Sequence, residues 1–344
     1  MFHVPCSMSF DIITFGSATR DVLVKPKQVS VLKYEKTTAT SQVCFPFGSK
    51  IDVDDMQFNS GGGGTNTAAT FAMQGFKTAF CGTVGTDLAG QEIINELKKL
   101  GVNTSLVGKT NKKITNHSMV ILGQGNERTI LAYRGASELM DEKTIPWGKL
   151  KTKWLYLAPL SGLFCLPRSE SADSTTGATS LFENILDFAR ENNIKVAVNP
   201  GIAQLSLPHF ADIAKKISVL ILNQEEASFL TKIPFQHEKE IFAAIGRMCP
   251  GIVIMTKGAE GVLVSDGKHM YSAVPPKERK VVDTTGAGDA FASGFLSEFM
   301  RSANIEASIQ LGMGNSVGNL SEIGAKTGLL KKGQEFVRVE VMKQ

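Results

Sequence analysis

The sequence predicts an α/β protein organised around a doubly wound, mostly parallel sheet. Two observations carry that expectation. Short runs rich in β-branched and aromatic residues recur at Trp154–Pro159, Val196–Val198, Val219–Leu222 and Ile252–Thr256, and a helical pattern lies between them at Leu181–Glu191. Strands alternating with helices at this spacing need crossover connections, which give parallel pairing with helices on both faces. Several of these runs also end in polar turns, Asn199-Pro200-Gly201 and Asn223-Gln224-Glu225-Glu226 among them. The carboxyl ends of strands are where open sheets of this kind carry their ligands. At 344 residues, 42 % hydrophobic and 20 % charged, the chain can bury a full core.

Charge and cysteine usage exclude several classes. The net charge is +4, and the basic pairs Lys98-Lys99, Lys112-Lys113 and Lys331-Lys332 are scattered, so no stripe for nucleic acid exists. The five cysteines are widely spaced with no CxxC, which predicts reduced thiols in the cytoplasm rather than disulfides or zinc. The histidines form no HxxxH pair. The opening residues lack the pattern of a signal peptide, and no apolar run approaches membrane-spanning length, so no membrane partner is expected.

In chain order, Asp11–Phe15 reads as a buried strand, followed by a polar turn from Gly16 to Asp21. Asp21 there is either a turn cap or a functional carboxylate. From Val22 to Phe58 only short β pieces appear, at Val22–Val24, Ser41–Phe45 and Lys50–Val53, outside the main sheet. Ser60-Gly61-Gly62-Gly63-Gly64-Thr65-Asn66 then precedes a helix at Thr67–Gln74, with no clean strand before it. Four glycines let a ligand lie against the backbone, and Asn66 can both donate and accept hydrogen bonds. Gln91–Leu100 is an amphipathic helix ended by Gly101. Strands at Thr115–Val120 and Thr129–Tyr133 flank a Gly123–Asn126 hairpin turn, and Arg134 follows as a solvated cation or a contact to an anionic substrate.

After Ile252–Thr256, the loop Lys257–Gly261 leads to a strand at Val262–Val264; Ala307–Glu322 reads as a late helix. Between them lies the most informative stretch, VVDTTGAGDAFASGFLSEFM, from Val281 to Met300. Val281 and Val282 are expected to close a short strand. Phe291, Phe295 and Phe299 recur every four residues on one helix face. Gly286, Ala287 and Gly288 therefore sit where a loop becomes a helix N-terminus, with free N–H groups and a positive dipole end suited to an anion. Asp289 sets a carboxylate beside that anion site. An acid in a first helical turn is ordinary in isolation. Beside a phosphate, a carboxylate serves best as a base that takes a proton from a hydroxyl while the N–H groups hold the transferring phosphoryl.

This run resembles the C-terminal signature of the ribokinase-like (PfkB) carbohydrate kinases, and the glycine run with Gly82–Gly90 (GTVGTDLAG) resembles their N-terminal one. The resemblance extends to NxxE at Asn223 and Glu226 and to TxGxxG at Thr256, Gly258 and Gly261. It implies a three-layer α/β/α domain over 9–330, with a small β lid from approximately 22–58 and 112–134 and an extension at 331–344. It implies an ATP-dependent phosphotransferase acting on a sugar hydroxyl, with Asp289 as base and Gly286–Gly288 as anion hole. Asp21, Gly61, Gly62, Gly63, Gly64 and Asn66 would hold the acceptor, although ribokinase itself has Lys where this chain has Gly63. Asn223, Thr256, Gly258 and Gly261, with Asn315 or Asn319, would bind nucleotide, and Glu226 would hold Mg2+ through water. Asp283 and Thr285 would take a monovalent cation such as K+, as in some members. The lid would pair two copies into a homodimer, covering Val43, Phe45 and Phe47. The alternatives are a nucleoside kinase of the adenosine or inosine type and a non-catalytic sugar-binding regulator. No GxxxxGK[ST] or protein-kinase motif set occurs.

Overall fold

The computed structural model describes residues 9–28, 30–33, 41–123, 128–160 and 180–344. Strand β1 (Phe10–Phe15) is followed by β2 (Thr19–Pro26), β3 (Ser30–Lys33), β4 (Ser41–Cys44) and β5 (Val53–Gly61), and α1 (Gly63–Met73) starts within the glycine run. Then come β6 (Thr78–Cys81), β7 (Thr83–Gly85), α2 (Leu88–Lys99), β8 (Gly108–Thr110), β9 (Asn116–Leu122), β10 (Arg128–Tyr133) and β11 (Thr152–Leu157). The next stretch holds α3 (Leu181–Glu191), β12 (Lys195–Val198), α4 (Ile202–Leu205), α5 (Phe210–Ala214), β13 (Val219–Asn223), α6 (Gln224–Thr231), α7 (Glu238–Met248) and β14 (Ile252–Thr256). Last are β15 (Val262–Ser265), β16 (Met270–Ala273), α8 (Ala287–Ser302), α9 (Ile305–Leu320) and β17 (Val341–Lys343).

The main sheet has nine strands in the order β17-β16-β15-β14-β13-β12-β11-β1-β6, parallel from β14 to β6 and antiparallel beyond. Its two faces follow from the two-residue period of a strand. Ile13, Phe15, Leu155, Leu157, Val196, Val198, Leu220 and Leu222 bury against α3, α5 and α7. Their alternates Ile12, Trp154, Tyr156, Ala197, Val219 and Ile221 bury against α8, α9 and Phe71 of α1. Fully burying each large side chain is worth about 1.5–3 kcal/mol, so both helical layers are fixed to the sheet. The expected phenylalanine face is present: Phe291, Phe295 and Phe299 stack in sequence with ring centroids 6.3 Å apart at each step.

A smaller four-stranded sheet, ordered β10-β9-β2-β5, forms the lid, and β3 pairs with β4 alone. Several expectations change here. Asp21 lies inside a strand rather than a turn, because β2 starts at Thr19 and pairs Asp21 with Asn59 and Ser118. Lys50–Asp52 form no strand; β5 starts at Val53 and runs straight into the glycines, so a strand does precede them. Val281 and Val282 form no strand either. Both are exposed, and the Val282 N–H donates to Leu320 O at the end of α9. Within the 331–344 extension, β17 pairs with β16. Residues Gln124–Asn126 of the expected hairpin turn and the Ser/Thr-rich stretch 161–179 lie outside the described residues. Among the described residues no helix is long and apolar enough to cross a membrane, and Cys44, Cys81 and Cys249 are free.

Candidate active site

The N-terminus of α8 is the focus. Gly286 is its N-cap at φ 82°, a left-handed conformation that disfavours side chains, and an added Cβ would lie 2.6 Å from the Ala325 Cβ. The helix therefore starts against the Ala325 turn with nothing between. Ala287, Gly288 and Asp289 form its first turn, and an added Cβ at Gly288 would meet nothing within 4 Å. At the start of this 16-residue helix the Ala287 N–H donates to Thr284 O at 3.4 Å, and first-turn N–H groups of a helix suit an anion.

The glycine run meets this turn where α1 packs on α8, Ala69 against Ala290. Thr14 of β1 donates from Oγ1 to Gly64 O at 2.9 Å, fixing the run against the central sheet. Gly62 has φ 97°, and a Cβ there would sit 2.4 Å from Ser17 O. Asn66 Nδ2 then donates to Asp289 Oδ2 at 2.8 Å, joining residues 223 apart in sequence. The Asn66 carbonyl oxygen is buried and has no partner among the described residues. Gly63 faces Asp289 too; an added Cβ would be 3.5 Å from Oδ1. Asp21 completes this wall. It accepts a hydrogen bond from Ser118 Oγ, and a Cβ on Gly61 would fall 2.1 Å from its Oδ2.

Burial pushes the Asp289 carboxyl above the usual carboxylate range, against the opposing pull of the Asn66 amide and the Lys326 ammonium. That makes it a stronger base than an exposed aspartate. Burial likewise raises Asp21, with the Ser118 hydroxyl and Lys326 pulling down. Glu226 is raised by burial first, and the charges of Glu225 and Asp289 add to the rise. Asn223 and Glu226 form a capping box at α6: Asn223 Oδ1 accepts from Glu226 N at 2.7 Å and Glu226 Oε2 from Asn223 N at 2.9 Å. Among the described residues there is no cluster of three or more metal-ligating side chains.

On the other side of the same turn is a cavity of about 390 Å3. Its lining includes Thr256, Gly258 and Gly261, Ala287 and Gly288 of α8, and Met313, Ser316 and Val317 of α9. Asn315 and Asn319 do not line it. Both are fully buried. Asn315 Nδ2 donates to Ala290 O at 2.8 Å and its Oδ1 accepts from Leu330 N at 2.8 Å, while Asn319 Nδ2 donates to Gly324 O and Thr327 O. On a helix the neighbours of a buried position turn outward, which is why Ser316 faces the cavity and Asn315 does not.

The model of the pfkB family of carbohydrate kinases matches residues 34–331. This chain belongs to that family. It is similar to a ribokinase from Haemophilus influenzae, 25 % identical over 285 residues that cover 82 % of this chain and 88 % of the relative. It is also similar to an adenosine kinase from Saccharomyces cerevisiae, 26 % identical over 294 residues covering 81 % and 82 % of the two chains. Among solved structures, Arabidopsis thaliana ribokinase in complex with ribose and ATP superposes with a TM-score of 0.73 at 21 % identity, covering 94 % of this chain and 97 % of that one. The architecture is thus the ribokinase-like α/β fold.

Some residues of this PfkB member's site were not legible in its motifs. Lys326 follows α9, and its side chain is 5 % exposed. Its Nζ donates to Ser60 Oγ at 2.6 Å and lies 3.8 Å from Glu96 Oε2. Burial lowers its pKa, opposed by Glu96, Asp21 and Asp289. The only hint was its place in the Gly324-Ala325-Lys326 turn. Tyr156 of β11 buries a hydroxyl with no partner among the described residues, and the nearby charges of Asp289 and Glu226 add to the rise that burial causes in its pKa. Arg134 is exposed. The cation that reaches the site from the lid is Arg128: Nη1 is 3.0 Å from Asp283 Oδ1 and 2.6 Å from Thr285 Oγ1.

Proposed function

We propose that this chain transfers the γ-phosphoryl of ATP to a hydroxyl of a small sugar. The observation that supports the reading best is the joining of Asn66 and Asp289 at the N-terminus of α8. Asp289 takes the acceptor's proton, and its raised pKa suits the task. The Asn66 amide orients that carboxylate, and its unpaired carbonyl accepts from the same or a neighbouring hydroxyl. Asp21 and the backbone of Gly61–Gly64 hold the remainder of the acceptor. The N–H groups of Gly286–Gly288 stabilise charge on the phosphoryl oxygens, a role for which prearranged donors are effective. The adenine lies in the cavity between Thr256–Gly261 and α9. Asn223 and Glu226 hold Mg2+ through water, and Mg2+ when bound neutralises charge between the phosphates.

The nucleoside reading has specific support: a cytidine kinase and an adenosine kinase stand among the relatives. Measuring ADP release with separate pentoses, hexoses and nucleosides decides between the acceptors. Tight sugar binding with no turnover would replace the enzyme by the non-catalytic regulator.

The lid also supports a homodimer. Met56, Phe58, Met119, Leu131 and Tyr133 are all exposed, and register places Phe58, Met119 and Leu131 in one row across β5, β2, β9 and β10. This row, more than Phe45 and Phe47, is the apolar face a second copy would cover. A monomeric mass by light scattering at micromolar concentration would remove the proposal. Free thiols at Cys44, Cys81 and Cys249 suit the reducing cytoplasm proposed for this chain.

A further inference from the structure

The residues expected to take a monovalent cation already hold a cation belonging to the chain. Asp283 Oδ1 accepts from Arg128 Nη1 at 3.0 Å, from Thr285 N at 2.9 Å and from Thr285 Oγ1 at 2.7 Å, and Oδ2 accepts from Gly324 N at 3.0 Å. Each carboxylate oxygen offers about two acceptor sites, so the three donors on Oδ1 leave that oxygen, the one shared by Arg128 and Thr285, no site for an ion. The same guanidinium nitrogen also donates to Thr285 Oγ1 at 2.6 Å. The Asp283 side chain is only 10 % exposed and that of Arg128 27 %. A second cation on these oxygens would stand in contact with the guanidinium and would have to displace it. The donor set therefore does not fit K+.

We propose that Arg128 is a positioning residue that supplies from within the chain the charge a monovalent cation would supply, so that this protein works independently of K+. This rests on the phosphotransferase reading given above. The path to the chemistry is short. Thr285 precedes Gly286, the N-cap of α8, so the guanidinium fixes the loop that aims the anion-hole N–H groups. An unpaired Asp283 would leave a partly buried negative charge beside that anion site, and Asp283 already raises the pKa of Asp21. The geometry also makes the charge conditional on the lid. Arg128 opens β10, on the edge of the lid sheet, whereas Asp283 belongs to the body of the domain. A bound ion would complete the loop whatever the lid did; Arg128 completes it only with the lid in this position. Between the two bodies is a cavity of about 600 Å3 with Leu23, Lys25, Arg128, Val281 and Asp283 on its walls.

The test compares KCl with tetramethylammonium chloride at equal ionic strength, reading ADP release and the thermal midpoint of the full chain. Wild type should show the same turnover and the same midpoint in both salts. Arg128→Ala, which leaves room for an ion, should lose on the order of 10- to 100-fold in kcat without K+, the scale on which a displaced catalytic loop costs activity. K+ should restore much of that loss and raise the variant's midpoint, while Arg128→Lys should keep activity without K+. Wild-type turnover or midpoint rising with K+ would overturn the proposal. So would Arg128→Ala with full activity in tetramethylammonium, or with a loss that K+ does not restore. The midpoints need no turnover, so they decide the matter even if no acceptor is phosphorylated, an outcome that would count against the phosphotransferase reading alone.

Discussion

Asp289→Asn isolates basicity from shape. The substitution keeps the side chain's size, and the Asn oxygen can still accept the 2.8 Å hydrogen bond from Asn66. What disappears is the charge and the ability to take a proton. General-base catalysis is worth about 10²–10⁴-fold, or roughly 2.7–5.4 kcal/mol at about 1.36 kcal/mol per decade, and that amount should leave kcat. Nucleotide binding should hold or tighten, because a negative charge beside the phosphates has gone. Stability should not fall. Burial raises the folded-state pKa of Asp289, so stability from its protonated form is full below the unfolded pKa and is lost as pH rises through the folded one. A residue that cannot ionise escapes that loss, and the thermal midpoint at neutral pH should match or exceed wild type. Steady-state kinetics, nucleotide titration and thermal melts on the same preparation measure all three. A folded variant keeping more than about a tenth of wild-type kcat would refute the base assignment, being outside that range.

Other outcomes follow from the same contacts. Asn66→Ala removes the amide that pulls the Asp289 pKa down, so the acid limb of the kcat/KM profile should move to higher pH; an unmoved limb would detach Asn66 from the base. Gly286→Ala forces a side chain into φ 82° and against Ala325, at a cost of about 1–2 kcal/mol from the backbone alone, which denaturant unfolding would show together with reduced kcat. Asn315→Ala should cost about 1–3 kcal/mol of stability through lost buried hydrogen bonds while leaving the KM for ATP unchanged. A raised KM with unchanged stability would return Asn315 to the nucleotide site.

The parallel strands were legible because they are buried on both faces and read as unbroken apolar runs, Ile252–Thr256 and Val219–Leu222 most clearly. The lid was harder. Strand β5, VDDMQFNSG, is exposed over most of its length, so no hydrophobic alternation marks it. Val281-Val282 erred the opposite way: β-branched residues suggested a strand, but no neighbouring strand pairs with them. The glycines and Asp289 were readable because their chemistry is local to a loop and a helix start. Arg128 and Lys326 were not, because their partners are 155 residues away at Asp283 and 266 away at Ser60, and spacing carries no record of such contacts.

The 223-residue separation between Asn66 and Asp289 also has a bearing on how the protein matures. Closing a loop of that size brings no local reward until both ends are already shaped, so contacts of this kind form late in folding. The helices can form from nearer neighbours beforehand, whereas the central pairing of β1 with β11 also joins distant segments. Catalytic competence therefore waits on a contact between distant segments. A population arrested short of that closure would carry nearly all its secondary structure and no activity, and would present the unjoined cleft to chaperones or proteases.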